Sequence, residues 1–281
     1  MKFGASTFIW VSPFSNDTMY LFDQAKKQGF DVLEVCIEDP STIDPVAISQ
    51  AAARSGIEPL ICGAFGPGRD ISADDLASRQ GGISYIKTCI DIANRVGAKL
   101  VSGPMYSEVG RFGLQTSDAK KQRNEWAVEN MQIVAAYAKE AGVKLAVEPL
   151  NRFETDFLNT VDQGLAFFEQ IGADNVGFLL DTFHMNIEEK KMGEAIRRAG
   201  KKLFNFHACG NDRGTPGNDH INWDDVKEAL TAIGYEDYLI IESFNTDITE
   251  IARAVSLWRP LASSADDLAT DGLHFLKQQF S

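Results

Sequence analysis

Seven glycines divide the sequence into an alternating pattern that few folds can accommodate. Each one follows a segment with helical spacing of apolar residues and precedes a short apolar or β-branched run. The seven are Gly29, Gly56, Gly97, Gly142, Gly172, Gly200 and Gly234. Glycine is favoured where a helix ends in a left-handed residue, because it has no Cβ to clash. Seven helix-to-strand junctions predict eight strands.

The predicted strands are apolar on successive residues rather than on alternate ones. Runs of this kind are typical of parallel strands that crossover helices bury on both faces. The eight runs are Lys2–Ile9, Asp31–Ile37, Glu58–Cys62, Lys99–Ser102, Val143–Glu148, Val176–Asp181, Leu203–His207 and Tyr238–Glu242. Long helices are predicted at Ser78–Val96, Ser117–Ala141 and Asn222–Ile233, and helix starts at Asp44–Pro45 and at Thr160 with Gln163.

Strand and helix alternating eight times in 281 residues predicts one α/β domain, a closed (β/α)8 barrel over residues 1–281. An open doubly wound sheet is the alternative. Such a sheet normally carries a glycine fingerprint after its first strand, and residues 9–13 contain no glycine. The tail, about residues 262–281, is predicted to be a final helix packed across the barrel or onto a second subunit.

Charge and cysteine usage exclude several classes of partner and location. The formal charge of −13 would repel nucleic acid and anionic lipid, so neither is an expected partner. The four cysteines show no C-x-x-C spacing, which favours reduced thiols in a cytoplasmic protein. We expect no secretion signal at the amino terminus. No apolar stretch approaches the roughly 20 residues of a spanning helix.

The last four predicted strands each end in a side chain that can bind a metal ion. Glu148, Asp181, His207 and Glu242 end strands five to eight. The carboxyl ends of barrel strands surround one pocket, so these side chains should meet there. Burying three carboxylates without a cation would be costly. Three carboxylates and an imidazole therefore predict a site for one divalent ion such as Mn2+, Mg2+ or Co2+. No organic cofactor is predicted.

Three further polar residues lie in the loops that follow these strands. Glu154 comes six residues after Glu148 and is a candidate contact for a substrate hydroxyl, with a surface ion pair to Arg152 as the alternative. His184 lies three residues after Asp181, with a purely structural role as the alternative. Arg213 lies in a glycine-rich loop, where it could donate to a substrate oxygen or remain solvated.

At these residues the sequence resembles the ketose 3-epimerase family, which includes D-tagatose and D-allulose (psicose) 3-epimerases. The resemblance spans nearly the whole chain and is strongest in residues 148–154, residues 180–189 and Trp258–Arg259. It implies Mn2+ or Co2+ bound by the four strand-end residues, and substrate contacts from Glu154, His184 and Arg213. It also implies a dimer or a tetramer. Residues 62–65 and 103–109 depart from better-known members, so the preferred ketose stays open.

Inversion at carbon 3 of a ketose requires a proton to leave one face and another to enter from the opposite face. Glu148 and Glu242, on non-adjacent strands, are the predicted catalytic acid–base pair. The same barrel and ligands would also suit an aldose–ketose isomerase, a hydroxypyruvate-type isomerase or an inosose dehydratase. A non-catalytic sugar-binding protein is the alternative from another class. A three-zinc nuclease is disfavoured, because the chain has four histidines and no basic groove is expected.

Overall fold

The computed structural model describes residues 1–280, and across them eight parallel strands close into one barrel in sequence order. The (β/α)8 prediction is therefore confirmed. β1 closes the barrel against β8, with Gly4 opposite Ile240. The strands β1 to β8 are Lys2–Ser6, Val32–Ile37, Glu58–Gly63, Leu100–Gly103, Lys144–Val147, Val176–Asp181, Leu203–Ala208 and Tyr238–Ile241.

The helices of these residues surround the barrel, and the helix starts predicted at Asp44–Pro45 and at Thr160 with Gln163 are confirmed. Asp44 caps the second helix through a side-chain bond from the Val46 amide, and Thr160 with Gln163 forms a capping box. The helices α1 to α10 are Tyr20–Gln28, Pro45–Ser55, Leu76–Val96, Ser117–Glu140, Val161–Ile171, Thr182–Glu188, Met192–Ala199, Trp223–Ala232, Thr249–Ala254 and Ala265–Phe280. The predicted helix end at Ser281 lies outside the described residues.

All seven punctuating glycines have a positive φ, which explains why glycine occurs at these junctions. Four of them, Gly29, Gly56, Gly97 and Gly172, end helices in the left-handed region. Gly200 is different, with φ 53° and ψ −131°. It starts a 3-10 turn that leads directly into β7, so the chain does not close a left-handed cap there.

β2 and β6 end at the predicted residues Ile37 and Asp181, whereas the other strand ends differ from the predicted ones by one to three residues. β1 stops at Ser6 rather than Ile9, because Ser6 caps a 3-10 helix over Thr7–Ile9. β5 and β8 stop one residue before Glu148 and Glu242. These two carboxylates therefore occupy the first position after their strands, at the mouth of the barrel.

The barrel interior is layered, because side chains two residues apart on a strand face the same side. An apolar layer lies deepest and includes Val32, Leu60, Leu100, Ala146, Leu179 and Ile240. Two residues further along their strands lie Glu34, Ser102, Glu148, Asp181 and Glu242. The strand register thus places acidic groups directly above an apolar floor.

Close packing around this floor requires a glycine on the first strand. A Cβ at Gly4 would lie 2.5 Å from Cδ1 of Ile240 and 2.9 Å from Cβ of Val32. Both distances are shorter than packed atoms normally show, so a side chain at this position would force its neighbours to move. Within the described residues, no helix has both the length and the apolar character needed to cross a membrane.

Candidate metal centre and active site

Four buried side chains converge at the carboxyl ends of the last four strands. One ligand atom from each of Glu148, Asp181, His207 and Glu242 lies within 4.8 Å of the other three. None of the four residues is more than 5% exposed. Strand alternation brings them together from positions up to 94 residues apart in sequence (242 − 148 = 94).

Three atoms of this cluster are buried without a hydrogen-bond partner, namely Oε1 of Glu148 and both ring nitrogens of His207. Nδ1 lies 3.6 Å from Oε1 of Glu242 and 3.8 Å from Oδ2 of Asp181. Buried polar atoms are normally paired, so a buried carboxylate oxygen and ring nitrogen without hydrogen-bond partners fit the presence of a cation. Three carboxylates and one imidazole are ligands that suit a first-row divalent ion. The residues present therefore fit a metal site.

Glu34, which the sequence analysis did not select, orients the histidine of this cluster. Its Oε2 lies 2.9 Å from Nε2 of His207, and both side chains are fully buried. Its Oε1 accepts a bond of 2.9 Å from Nδ2 of Asn205, which also donates to Oγ of Ser102. A carboxylate on one ring nitrogen leaves the other free to bind a metal. A lone charge within the fully buried run of β2 is the signal that could have identified Glu34.

Burial and neighbouring charges shift the pKa values of the two glutamates in opposite directions. Burial, reinforced by the nearby Glu242 carboxylate, raises the pKa of Glu148 well above its usual value. Burial also opposes ionisation of Glu242, but His207 and Arg213 outweigh it and lower the pKa of that carboxyl to about 2. Two carboxyl groups with separated pKa values are the usual requirement for a general acid paired with a general base.

The pKa of His207 is also set by competing effects. Burial alone would lower it, but Glu34 and Glu242 outweigh the burial and raise the pKa well above its usual value. Without a metal ion, the protonated ring and the guanidinium of Arg213 together balance these carboxylates. A metal ligand must be neutral, so metal binding has to displace this proton.

The structure brings His184 and Arg213 into the same site. Nε2 of His184 lies 2.8 Å from Nη2 of Arg213 and 3.6 Å from Oε1 of Glu148. Nη1 of Arg213 donates to Asp181 at 2.8 Å and to Glu242 at 2.7 Å. Arg213 is buried, so the solvated alternative is wrong.

The loop that carries Arg213 is shaped by its own backbone. Arg213 has φ 69°, a conformation that few non-glycine residues adopt. A bond from the amide of Gly210 to the carbonyl of Gly214 closes the turn at 2.9 Å. Oγ of Ser243, on the strand-eight loop, donates to the carbonyl of Arg213 at 2.6 Å. These bonds hold the guanidinium against the carboxylates.

Glu154 is partly buried beside these groups and accepts a bond of 2.7 Å from Nδ2 of Asn151. Its alternative pairing with Arg152 is not formed, since Arg152 binds Glu188 at 2.9 Å. Across the mouth lies an apolar cluster that includes Cys36, Cys62 and Phe244. The site thus combines a cluster of side chains that could bind a cation, further hydrogen-bonding groups and an apolar wall. This combination suits a small polyhydroxylated molecule.

Comparison with known proteins identifies the family. Residues 22–279 match the family described as xylose isomerase-like TIM barrel. A probable ketose 3-epimerase of Synechocystis sp. is 37% identical over 100% of this chain and 97% of its own length. An L-ribulose 3-epimerase of Mesorhizobium japonicum is 34% identical, over 95% of this chain and 90% of its own length.

Among solved structures, D-allulose 3-epimerase from Methylomonas sp. in complex with D-allulose superimposes with a TM-score of 0.93. It is 27% identical, and the match covers 99% of this chain and 97% of that one. The resemblance found from the sequence is confirmed at the level of both sequence and fold. The chain belongs to the ketose 3-epimerase family, within the xylose isomerase-like TIM barrels.

Proposed function

We propose that the chain catalyses the reversible inversion of a free ketose at carbon 3. The observation that carries this proposal is the meeting of Glu148 and Glu242 in one buried, cation-fitting cluster, with pKa values shifted in opposite directions. Relatives at 34% and 31% identity are named L-ribulose and D-psicose 3-epimerases. The proposed substrates are D-fructose or D-allulose, D-tagatose or D-sorbose, or a ketopentose such as ribulose.

We propose that Glu148, Asp181, His207 and Glu242 hold one divalent ion per subunit. Mn2+ is the proposed metal, with Co2+ and Mg2+ as substitutes, because mixed carboxylate and imidazole ligands suit these ions. When bound, such an ion supplies Lewis-acid polarisation of the sugar carbonyl.

The glutamates then move the protons. One carboxylate removes the proton from carbon 3, and the electron pair of the broken C–H bond forms the C2–C3 double bond of a cis-enediolate. The other glutamate, protonated, delivers its proton to carbon 3 from the opposite face while the carbonyl at carbon 2 forms again. Each positioned group of this kind contributes about 100- to 10,000-fold. Reversing the two roles serves the other epimer.

The remaining residues are proposed to stabilise charge and hold the sugar. His184 and Arg213 lie next to the carboxylate cluster, where they would donate to the charge that develops on oxygen 2. Glu154 would accept from the terminal hydroxyl. All of these residues except Glu154 are buried.

The test is incubation of the Mn2+-loaded protein with fructose, tagatose, ribulose and a panel of aldoses, followed by sugar analysis. We expect 3-epimers only, and one deuterium at carbon 3 when the reaction runs in deuterated water. Glu148→Gln and Glu242→Gln should each nearly abolish turnover. Products of aldose–ketose conversion, dehydration products or binding without turnover would identify the alternative functions. Retention of all hydrogen at carbon 3 would indicate a hydride shift.

We propose a homodimer or a homotetramer in the cytoplasm, with residues 1–281 forming one domain. Phe112, Leu114 and Phe153 are each at least 58% exposed and lie on two loops at the barrel mouth. These loops are joined by a bond from the Gly110 amide to the Glu154 carbonyl. The four cysteines are buried and unpaired, as expected in a reducing compartment. Light scattering should give a mass of two or four chains, and a monomer would contradict the oligomer.

A further inference from the structure

Asn151 is almost fully buried between the two predicted substrate contacts His184 and Glu154. Its backbone amide donates to Nδ1 of His184 at 3.0 Å. Its side-chain Nδ2 lies 3.0 Å from the same ring nitrogen and donates to Oε1 of Glu154 at 2.7 Å. One side chain thus contacts both groups.

The orientation of the Asn151 amide follows from its neighbours. Oδ1 accepts a bond of 2.9 Å from the amide of Phe153, which can only donate. Nδ2 faces the carboxylate of Glu154, which accepts. Exchanging the oxygen and nitrogen would place a donor against a donor and an acceptor against an acceptor. Nδ2 therefore points to Nδ1 of His184 as a second donor.

Two donors on Nδ1 determine where the ring of His184 carries its proton. A proton on Nδ1 would face both the backbone amide and Nδ2, and the backbone amide cannot move away. A neutral imidazole has one donor and one acceptor nitrogen, so Nδ1 must accept and Nε2 must carry the hydrogen. Nε2 is the nitrogen that faces Glu148 and Arg213.

This tautomer leaves one contact between donors, the Nε2–H of His184 and Nη2 of Arg213 at 2.8 Å, whereas a proton on Nδ1 would make two, with the backbone amide and Nδ2 of Asn151. Arg213 has no acceptor atom, so the pair does not satisfy itself. An anionic oxygen within hydrogen-bond reach of both nitrogens would accept from each. The two groups are thus aimed in advance at a developing negative charge.

We propose that Asn151 is a positioning residue, which fixes the Nε2–H tautomer of His184 and the orientation of Glu154 toward the ketose. The proposal deepens the proposed function and rests on it, since the oxygen that accepts from His184 and Arg213 is assigned to the sugar. Asn151 acts through these two residues and does not itself touch the reacting carbon.

The decisive measurement is the nitrogen-15 NMR spectrum of the histidine rings in sugar-free protein loaded with diamagnetic Mg2+. His184 is assigned by comparison with His184→Gln. In the wild-type protein we expect Nδ1 to resonate as unprotonated and Nε2 as protonated. Asn151→Asp replaces the side-chain donor with an acceptor, so part of the population should move to the Nδ1–H form. A wild-type proton on Nδ1, or a spectrum unchanged in Asn151→Asp, would overturn the proposal.

Kinetics separate the two contacts. Asn151→Ala keeps the backbone donor to His184 but removes the partner of Glu154, so KM should rise by roughly 10- to 100-fold with a smaller change in kcat. Asn151→Asp should lower kcat by a similar factor. Equal KM values in Asn151→Ala and the wild type would refute the role toward Glu154.

The matched control is Asn159→Ala. Asn159 lies in the same loop, and its side chain donates only to the carbonyls of Leu150 and Thr155. This variant should keep the His184 spectrum and change kcat/KM by less than about twofold. A loss of kcat/KM as large as that of Asn151→Ala would show that Asn151 acts only by holding the loop in place. The sugar-free spectrum of wild-type protein needs no turnover, and its assignment uses only the His184→Gln comparison. Failure of the sugar panel alone would therefore refute the proposed function and not the tautomer.

Discussion

Replacing Glu34 with glutamine tests how His207, a proposed metal ligand, is held. Glu34 faces two nitrogen atoms at once: its Oε1 accepts from Nδ2 of Asn205 at 2.9 Å, and its Oε2 lies 2.9 Å from Nε2 of His207. A glutamine has one carbonyl oxygen, so it can satisfy only one of them and must turn its NH2 group toward the other. Glu34→Gln therefore leaves one buried donor facing another donor, with no change in side-chain volume.

The expected loss is derived from this contact. An unsatisfied buried donor costs about 1–3 kcal/mol. Removing the partner that orients a metal-binding histidine typically weakens metal binding about 10- to 100-fold, which corresponds to roughly 1.4–2.7 kcal/mol. The two ranges agree, so we expect Mn2+ affinity to fall by one to two orders of magnitude.

The assay is calorimetric titration of the metal-free protein with Mn2+. Glu58→Gln is the matched control, because Glu58 lies at the opposite end of the barrel and contacts Lys2 and Tyr238. The control should bind Mn2+ as the wild type does. An affinity of Glu34→Gln within twofold of the wild type would show that Glu34 does not orient His207.

Three other predictions follow from the same structure. The pKa values of His207 and Glu148 are raised without metal, so Mn2+ must displace protons and its affinity should rise with pH. Calorimetric titration in two buffers of different ionisation enthalpy should show proton release near pH 7. A Mn2+ affinity that does not change with pH would contradict this prediction. Asp156→Asn breaks a mostly buried ion pair, in which Oδ1 of Asp156 lies 2.7 Å from Nη1 of Arg123. It should lower the free energy of unfolding, measured in urea, by about 3–5 kcal/mol, and a loss below about 1 kcal/mol would contradict this. Gly4→Ala overpacks the barrel floor and should cost roughly 1–3 kcal/mol by the same assay, whereas an unchanged midpoint would refute the packing argument.

The fold and the metal cluster could be predicted because their determinants are local and periodic. Glycines after helices and continuous apolar runs mark the (β/α) repeats, and barrel closure follows from their number. Period-two alternation then carries Asp181 and Glu242 to the same face as the apolar layer beneath them. The residues of the metal cluster can therefore be recognised in the sequence as those at the ends of the predicted strands.

The contacts that orient these residues could not be predicted, because they join distant parts of the chain. Glu34 lies 173 positions before His207 (207 − 34 = 173), and only the closed barrel brings them together. Whether Arg213 is buried or solvated could not be predicted either, because a hydrogen bond from Ser243, on another loop, helps to hold it in the site. Asn151 appeared in a recognised segment, but its role required the ring orientation of His184.

The measurement that tests the central claim most directly is anomalous diffraction from a crystal of this protein soaked in MnCl2, recorded at the manganese edge. We predict a single strong peak per subunit, coordinated by Glu148, Asp181, His207 and Glu242. No peak between these four side chains, or a peak held by other residues, would contradict the claim that the last four strands close around one catalytic ion.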